Sequence, residues 1–425
     1  MSMDSDGHEG GTPWLHGEPG PGNMKLIRQR DNQLWILDYL VKATGRDRQF
    51  FYDGRRLPAG TRSYAMIPRQ MARVAGHKEG LARAAEAKGH RETACRLYHK
   101  AALDYHIGQH ALAYDDHPEK IYLHGKLIEC FGKLIELSRH RIERFEVPFE
   151  GKSLPGLFYS CGKEKAPTVL HIPGLDSPKE LYPDAIDNPY RERGFNIAIV
   201  DGPGQGESAL RKIRNSPENF APAMQAVLDY LVTRPDVDAE RLGCIGFSMG
   251  TFWALQLASR EPRLKAIATA AGCYGPQYGF QQESPHFKKQ FMYMTGITDE
   301  EAFDRLADRY VLSDAELAKI KCPVVILHGE YDPLNPLEDA YRVYGGIAGP
   351  KEFWLAENDA HSPGEYPHLG GLRAFDVLID WMRDVFAGTL PPRDGQLKIL
   401  KERAGLGLYG NPVDGFWMPD RVRYF

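Results

Sequence analysis

The sequence predicts an α/β fold, a mostly parallel sheet with helices on both faces, preceded by a helical N-terminal domain. Three observations carry this. From about residue 144 onward, short apolar runs alternate with helical patterns, the signature of a parallel sheet with crossover helices. Upstream, helical periodicity dominates 78–112 and 119–137. Residues 246–250, Gly-Phe-Ser-Met-Gly, place a serine between two glycines where an apolar run meets a helical pattern.

Taken in order, residues 1–24 are rich in Gly, Pro, Asp and Ser, a composition that predicts disorder. Residues 25–143 read as a helical domain, with Ala-rich stretches such as 81–87 suited to close helix packing. The period changes near Arg144, where 144–149 and 154–160 read as an antiparallel pair opening the α/β domain of 144–388. Strands follow at 167–172, 196–200, 242–247, 265–271, 323–328 and 352–355. A longer helical segment at about 277–320 is long enough for a small lid. The last helix is expected at 372–386, and 389–425 reads as a Pro- and Gly-punctuated tail. That tail carries Phe416, Trp417, Tyr424 and Phe425, and is expected to pack on a protein surface.

The chemistry concentrates at strand ends. Gly246, Ser248 and Gly250 form a nucleophile elbow, a sharp turn that exposes the serine hydroxyl. A serine hydroxyl is a weak nucleophile and needs a base, which in turn needs an orienting acid. Asp332 stands just past the strand at 323–328, and His361 lies in the loop after the strand at 352–355. The chain order Ser248, Asp332, His361 is that of α/β-hydrolases. The loop after 167–172, Pro-Gly-Leu-Asp-Ser, is placed to give one oxyanion-hole N–H, with Leu175 as donor and Gly174 its neighbour. Met249, at the start of the following helix, supplies the other. Gly174, Asp176 and the helical-domain residue Tyr105 are candidate substrate contacts. The string Asp-Gly-Pro-Gly-Gln-Gly-Glu at 201–207 looks like a phosphate loop but lacks its lysine, and reads as a tight structural turn.

Composition excludes other classes. The formal charge of -4 gives no reason to expect nucleic-acid or anionic-membrane partners. The six cysteines are widely spaced and contain no C-x-x-C pair, so neither zinc nor a disulfide framework is expected. The i, i+4 pair His106 and His110 could share a metal, but there is no H-E-x-x-H and no third ligand in view. No metal and no cofactor is therefore expected. With no signal peptide and no run of transmembrane length, a cytoplasmic location is expected.

Over roughly residues 80–388 the chain resembles the dihydroxypseudooxynicotine hydrolase family, which is also similar to fungal enzymes that shorten polyketide pigment precursors. The resemblance rests on a helical region followed by G-L-D-S-P-K-E at 174–180, D-G-P-G-Q-G-E at 201–207, G-F-S-M-G at 246–250, L-H-G-E-Y-D at 327–332 and D-A-H at 359–361. It implies hydrolysis of a carbon–carbon bond next to a ketone, a retro-Claisen reaction on a small molecule such as a β-dicarbonyl, aryl ketone or polyketide. It further implies Ser248 as nucleophile, His361 as base, Asp332 as orienter, the Leu175 and Met249 amides as oxyanion hole, and a homodimer. The same residues would serve a carboxylesterase, or a thioesterase or acyl-transferring cyclase. A non-catalytic binding protein on this fold would keep the sheet without needing all three polar residues.

Overall fold

The computed structural model describes residues 38–39, 41–43, 45, 57–175, 177–275, 285–332, 334–357, 359–361, 365–389 and 396–400. The first 24 residues and the aromatic end of the tail lie outside them.

Three helices lead: α1 (Ile67–Ala87), α2 (Arg91–His110) and α3 (Pro118–Leu137). The helical periodicity at 78–112 is carried by α1 and α2. Gly89 sits at φ +73°, and the His90 N–H closes back on the Ala85 carbonyl, so the chain reverses in three residues. Ala75, Ala82, Ala94, Ala101 and Ala102 are fully buried, which lets the helices approach closely. Pro118 opens α3 at its first turn, where a missing N–H costs nothing.

The sheet has nine strands. β1 (Ile142–Phe149) and β2 (Lys152–Tyr159) form the expected antiparallel pair. β3 (Ala166–Ile172), β4 (Asn196–Val200), β5 (Val237–Phe247), β6 (Leu264–Ala270), β7 (Val324–Gly329) and β8 (Lys351–Ala356) are mutually parallel neighbours in the order β4-β3-β5-β6-β7-β8, with β2 antiparallel against β4. A two-residue ribbon, β9 (Glu365–Tyr366) with β10 (Leu372–Arg373), precedes the last helix. The ninth strand of the sheet, β11 (Gln396–Leu400), corrects the reading of 389–425 as tail alone. It pairs in parallel with β8 and forms the edge.

Helices cover both faces of the sheet. α4 (Pro189–Glu192) follows β3 and α5 (Gly206–Leu210) follows β4; α6 (Phe220–Val232) and α7 (Met249–Ala258) flank β5. Between β6 and β7 stand α8 (Pro285–Thr295), α9 (Glu300–Ala307) and α10 (Asp314–Leu317), the segment expected as a lid. α11 (Leu337–Gly346) follows β7, and α12 (Ala374–Ala387) begins two residues later than expected. The alternation of strand residues sorts the core. Leu170, Ala198, Cys244 and Ile326 pack with α6 and α7, whereas Val169, Ile197, Ile245 and Val325 pack with the N-terminal helices and α12. All six cysteines are free thiols. No described helix is long and apolar enough to cross a membrane.

Candidate active site

The strand register aligns the chemistry. Ile172 pairs with Gly246, Phe247 with Ala270, Ala270 with Leu327, and Gly329 with Ala356. The loops after β3, β5, β7 and β8 therefore leave one edge of the sheet together, where ligands bind in open α/β sheets.

Ser248 occupies the one-residue joint between β5 and α7. Its backbone lies at φ +53°, ψ -125°, a region that side-chain-bearing residues rarely enter and that persists only when the surroundings enforce it. The enforcement is visible. The Ser248 N–H donates to the Ala270 carbonyl at 3.2 Å, and the Ser248 carbonyl accepts from the amides of Thr251 at 2.9 Å and Cys273 at 3.0 Å. A Cβ on Gly250 would stand 2.1 Å from the Ile172 carbonyl oxygen, so only glycine lets α7 start this close to the end of β3.

Half-buried Ser248 points its Oγ at His361 Nε2, 2.9 Å away, and His361 Nδ1 is 2.7 Å from Asp332 Oδ2. A carboxylate accepts only, so Nδ1 carries the proton and Nε2 is left to accept from the serine hydroxyl. The other oxygen of Asp332 accepts the Leu334 N–H at 2.9 Å. Burial alone would raise the Asp332 carboxyl, but His361 outweighs it and holds the group below its ordinary value. The two loops that carry these residues are stitched together. The Tyr331 N–H donates to the Asp359 carbonyl at 2.8 Å and the Glu330 N–H to the Ala356 carbonyl at 3.0 Å. Gly329 lies so close to Ala360 that a Cβ would fall 2.2 Å from its carbonyl oxygen.

On the other side of Ser248 stands the loop after β3. A Cβ on Gly174 would sit 3.3 Å from the Ser248 Cβ, so this backbone passes close beside the nucleophile. Leu175 follows and is buried. Met249 is the first residue of α7, whose first-turn N–H groups have no carbonyl partner within the helix. Gly174 thus lies beside Ser248, which Met249 follows directly in the chain. Asp176 lies outside the described residues.

Tyr105 lies on α2 of the helical region. Its hydroxyl donates to Glu79 Oε2 at 2.7 Å, and Lys126 Nζ reaches the other Glu79 oxygen at 2.8 Å. This is a buried polar staple within the helical region. The hydroxyl proton of Tyr105, expected as a substrate contact, is used within this staple. His106 and His110 stack with ring centroids 5.6 Å apart. His106 Nδ1 meets Gln109 Nε2 at 3.2 Å, and His110 Nε2 lies 3.3 Å from His286 Nε2 on α8. Among the described residues no group of three or more His, Cys, Asp or Glu side chains is arranged to hold a metal ion. The helical region instead docks on α8. Gln290 Nε2 donates to the His110 carbonyl at 2.5 Å and Lys289 Nζ to the Tyr114 hydroxyl at 2.7 Å.

Sequence reasoning attaches no role to Lys179, Asp201 or Gln205. Lys179 is fully buried, with its Nζ 3.0 Å from Asp201 Oδ2, 2.5 Å from Glu207 Oε2 and 2.9 Å from Glu180 Oε1. Burial would lower its amine, but these three carboxylates raise it above the ordinary lysine value. The Lys179 N–H also donates to Asp201 Oδ1 at 2.7 Å. One carboxylate thereby ties the loop after β3 to the loop after β4. Lys179 and Asp201 are each one of several charged residues in their loops, so nothing in the sequence singles out this pairing.

A model of the prolyl oligopeptidase family matches residues 186–348. The 2,6-dihydropseudooxynicotine hydrolase of Paenarthrobacter nicotinovorans is 30% identical over 304 residues, covering 70% of this chain and 79% of the relative. The 20-hydroxy-prefusarin hydrolase FUS2 of Gibberella moniliformis is 28% identical over 365 residues, covering 73% of this chain and 85% of the relative. Among solved structures, the crystal structure of the 2,6-dihydroxy-pseudo-oxynicotine hydrolase aligns with a TM-score of 0.67 at 25% identity, over 84% of this chain and 97% of that one. The sheet order, the helical N-terminal region and these matches agree: the chain belongs to the 2,6-dihydropseudooxynicotine hydrolase family of α/β-hydrolases.

Proposed function

We propose that this hydrolase uses Ser248 as nucleophile, His361 as base and Asp332 as orienter to cleave a carbon–carbon bond next to a ketone in a small β-dicarbonyl, aryl-ketone or polyketide substrate. The observation that carries the reading is the continuous relay from Ser248 Oγ through His361 to Asp332, at 2.9 and 2.7 Å. The bond type is supported by the family, one member of which is a dihydropseudooxynicotine hydrolase.

The proposed chemistry uses that relay. Ser248 Oγ adds to the ketone carbon while its proton passes to His361 Nε2. The carbonyl electron pair moves onto oxygen, which the Leu175 and Met249 amides receive. Collapse of the adduct breaks the carbon–carbon bond, and the departing pair is held as the enolate of the neighbouring carbonyl. That enolate takes its proton from His361. Water then attacks the acyl-serine by the same route and releases the acid. A β-dicarbonyl suits this sequence because a simple alkyl carbanion is too unstable to leave.

Incubation with an aryl 1,3-diketone beside a p-nitrophenyl ester tests the reading. The expected products are one carboxylic acid and one methyl ketone for each diketone consumed. Rapid ester cleavage with every diketone untouched would replace it with a carboxylesterase.

A further inference from the structure

We infer that Gln205 is a positioning residue for the oxyanion hole, acting through the peptide that joins Gly174 to Leu175. The inference rests on the proposed role of the Leu175 amide and extends it. Gln205 is fully buried at the end of the loop after β4. Its Nε2 donates to the Gly174 carbonyl oxygen at 2.8 Å. Its Oε1 accepts the Gly202 N–H at 3.1 Å, which fixes the orientation of the amide, since Oε1 has to face a donor. The Gln205 backbone N–H also closes on the Gly202 carbonyl at 2.9 Å, so the side chain projects from a rigid turn.

The consequence is geometric. The Gly174–Leu175 peptide is trans, and a trans peptide is planar, with its C=O and N–H pointing in opposite directions. Gripping the Gly174 oxygen on one side therefore aims the Leu175 N–H to the other. A Cβ on Gly174 would fall 3.3 Å from the Ser248 Cβ, so the peptide held by Gln205 begins beside the nucleophile. The Ser177 N–H approaches the same oxygen at 3.4 Å, too long to set the plane alone. A donor on the carbonyl also polarises the peptide and strengthens its N–H as a donor, because linked hydrogen bonds reinforce one another. Gln205 thus orients and sharpens one of the two groups proposed to meet the developing oxyanion, without touching substrate.

Substitution separates this from a packing role. Gln205→Glu keeps the shape and the bond from Gly202, but its ionised carboxylate faces the Gly174 oxygen and has no proton to give. When protonated it regains a donor. Gln205→Met removes both bonds. The readout is phosphonylation of Ser248 by a fluorophosphonate, in which Oγ bonds to phosphorus, fluoride leaves, the serine proton goes to His361, and charge builds on the phosphoryl oxygen in the same hole. Loss of an oxyanion donor outright costs about 10²–10³-fold, so loss of its holder is expected to cost ~10–100-fold. That fall should appear in the maximal inactivation rate, with the half-saturating probe concentration unchanged.

For Gln205→Glu the deficit relative to wild type should shrink as pH falls, because burial raises the introduced carboxyl and lets it protonate. The Gln205→Met deficit should be the same at every pH. Wild-type rates in Gln205→Met, or a pH-independent deficit in Gln205→Glu, would overturn the inference while leaving Ser248 reactive. Should Gln205→Met not fold, Gln205→Glu alone decides by its pH dependence. Failure of wild-type Ser248 to react at all would instead strike the proposed function itself.

Discussion

On one side of Ser248, the loops after β7 and β8 present side chains that move protons. On the other, the loop after β3, braced by the loop after β4, carries the Leu175 amide that is proposed to receive charge. The two sides are built differently. Asp332 and His361 sit on loops joined by backbone hydrogen bonds and by the close approach of Gly329 to Ala360. The loops after β3 and β4 are joined by side chains: Lys179 to Asp201, and Gln205 to the Gly174 carbonyl. The difference teaches where substitution should be absolute and where graded. Removing a reacting side chain deletes a step. Removing a side chain that holds a backbone amide leaves the amide in place, less well aimed.

The largest effect should be at the joint itself. Ser248→Ala is expected to lower turnover by about 10⁴-fold or more with the unfolding midpoint nearly unchanged, since the half-buried hydroxyl packs little. Retention of more than about a tenth of wild-type turnover would remove Ser248 from the chemistry. Asp332→Asn comes next. It keeps the shape but cannot hold the Nδ1–H tautomer, and a loss of up to ~10⁴-fold is expected. Near-wild-type rates in this variant, with Asp359 or Glu357 proving essential instead, would move the acid to another residue.

On the amide side the first casualty should be stability rather than chemistry. Lys179→Met leaves Asp201 and Glu207 facing each other without their buried cation, a change that typically costs about 3–5 kcal/mol. Denaturant unfolding should show it directly, and an unchanged midpoint would mean the network does not hold the loops. The smallest effect is expected far from both flanks. Tyr105→Phe removes one buried hydrogen bond to Glu79, worth about 1–2 kcal/mol, and should leave KM unchanged. A raised KM with unchanged stability would return Tyr105 to the substrate pocket.

The same contrast governs what the sequence reveals. Ser248, Asp332 and His361 each follow an apolar strand, and their order along the chain matches the order of strand ends, so local patterns place them at one edge of the sheet. The elbow declares itself because close contact demands glycine at 250. Gln205 and Lys179 do not, since their partners lie 31 and 22 positions away in sequence and nothing in a turn-forming string announces a long-range grip. The helical hairpin at 88–90 was hidden by a periodicity that runs through it. β11 was hidden because its alternation, Gln-Leu-Lys-Ile-Leu, is short and stands in a Pro- and Gly-rich setting. What makes it a strand is the open edge of β8, and an edge is not a property of local sequence.

The central claim, that Ser248 is the poised nucleophile, is tested most directly by treating the intact protein with a fluorophosphonate and mapping the adduct by peptide mass spectrometry. A single phosphonyl group on the peptide containing Ser248, absent from Ser248→Ala and formed far more slowly in His361→Ala, is the predicted result. An unmodified Ser248 peptide, or an adduct that survives Ser248→Ala at the wild-type rate, would contradict it.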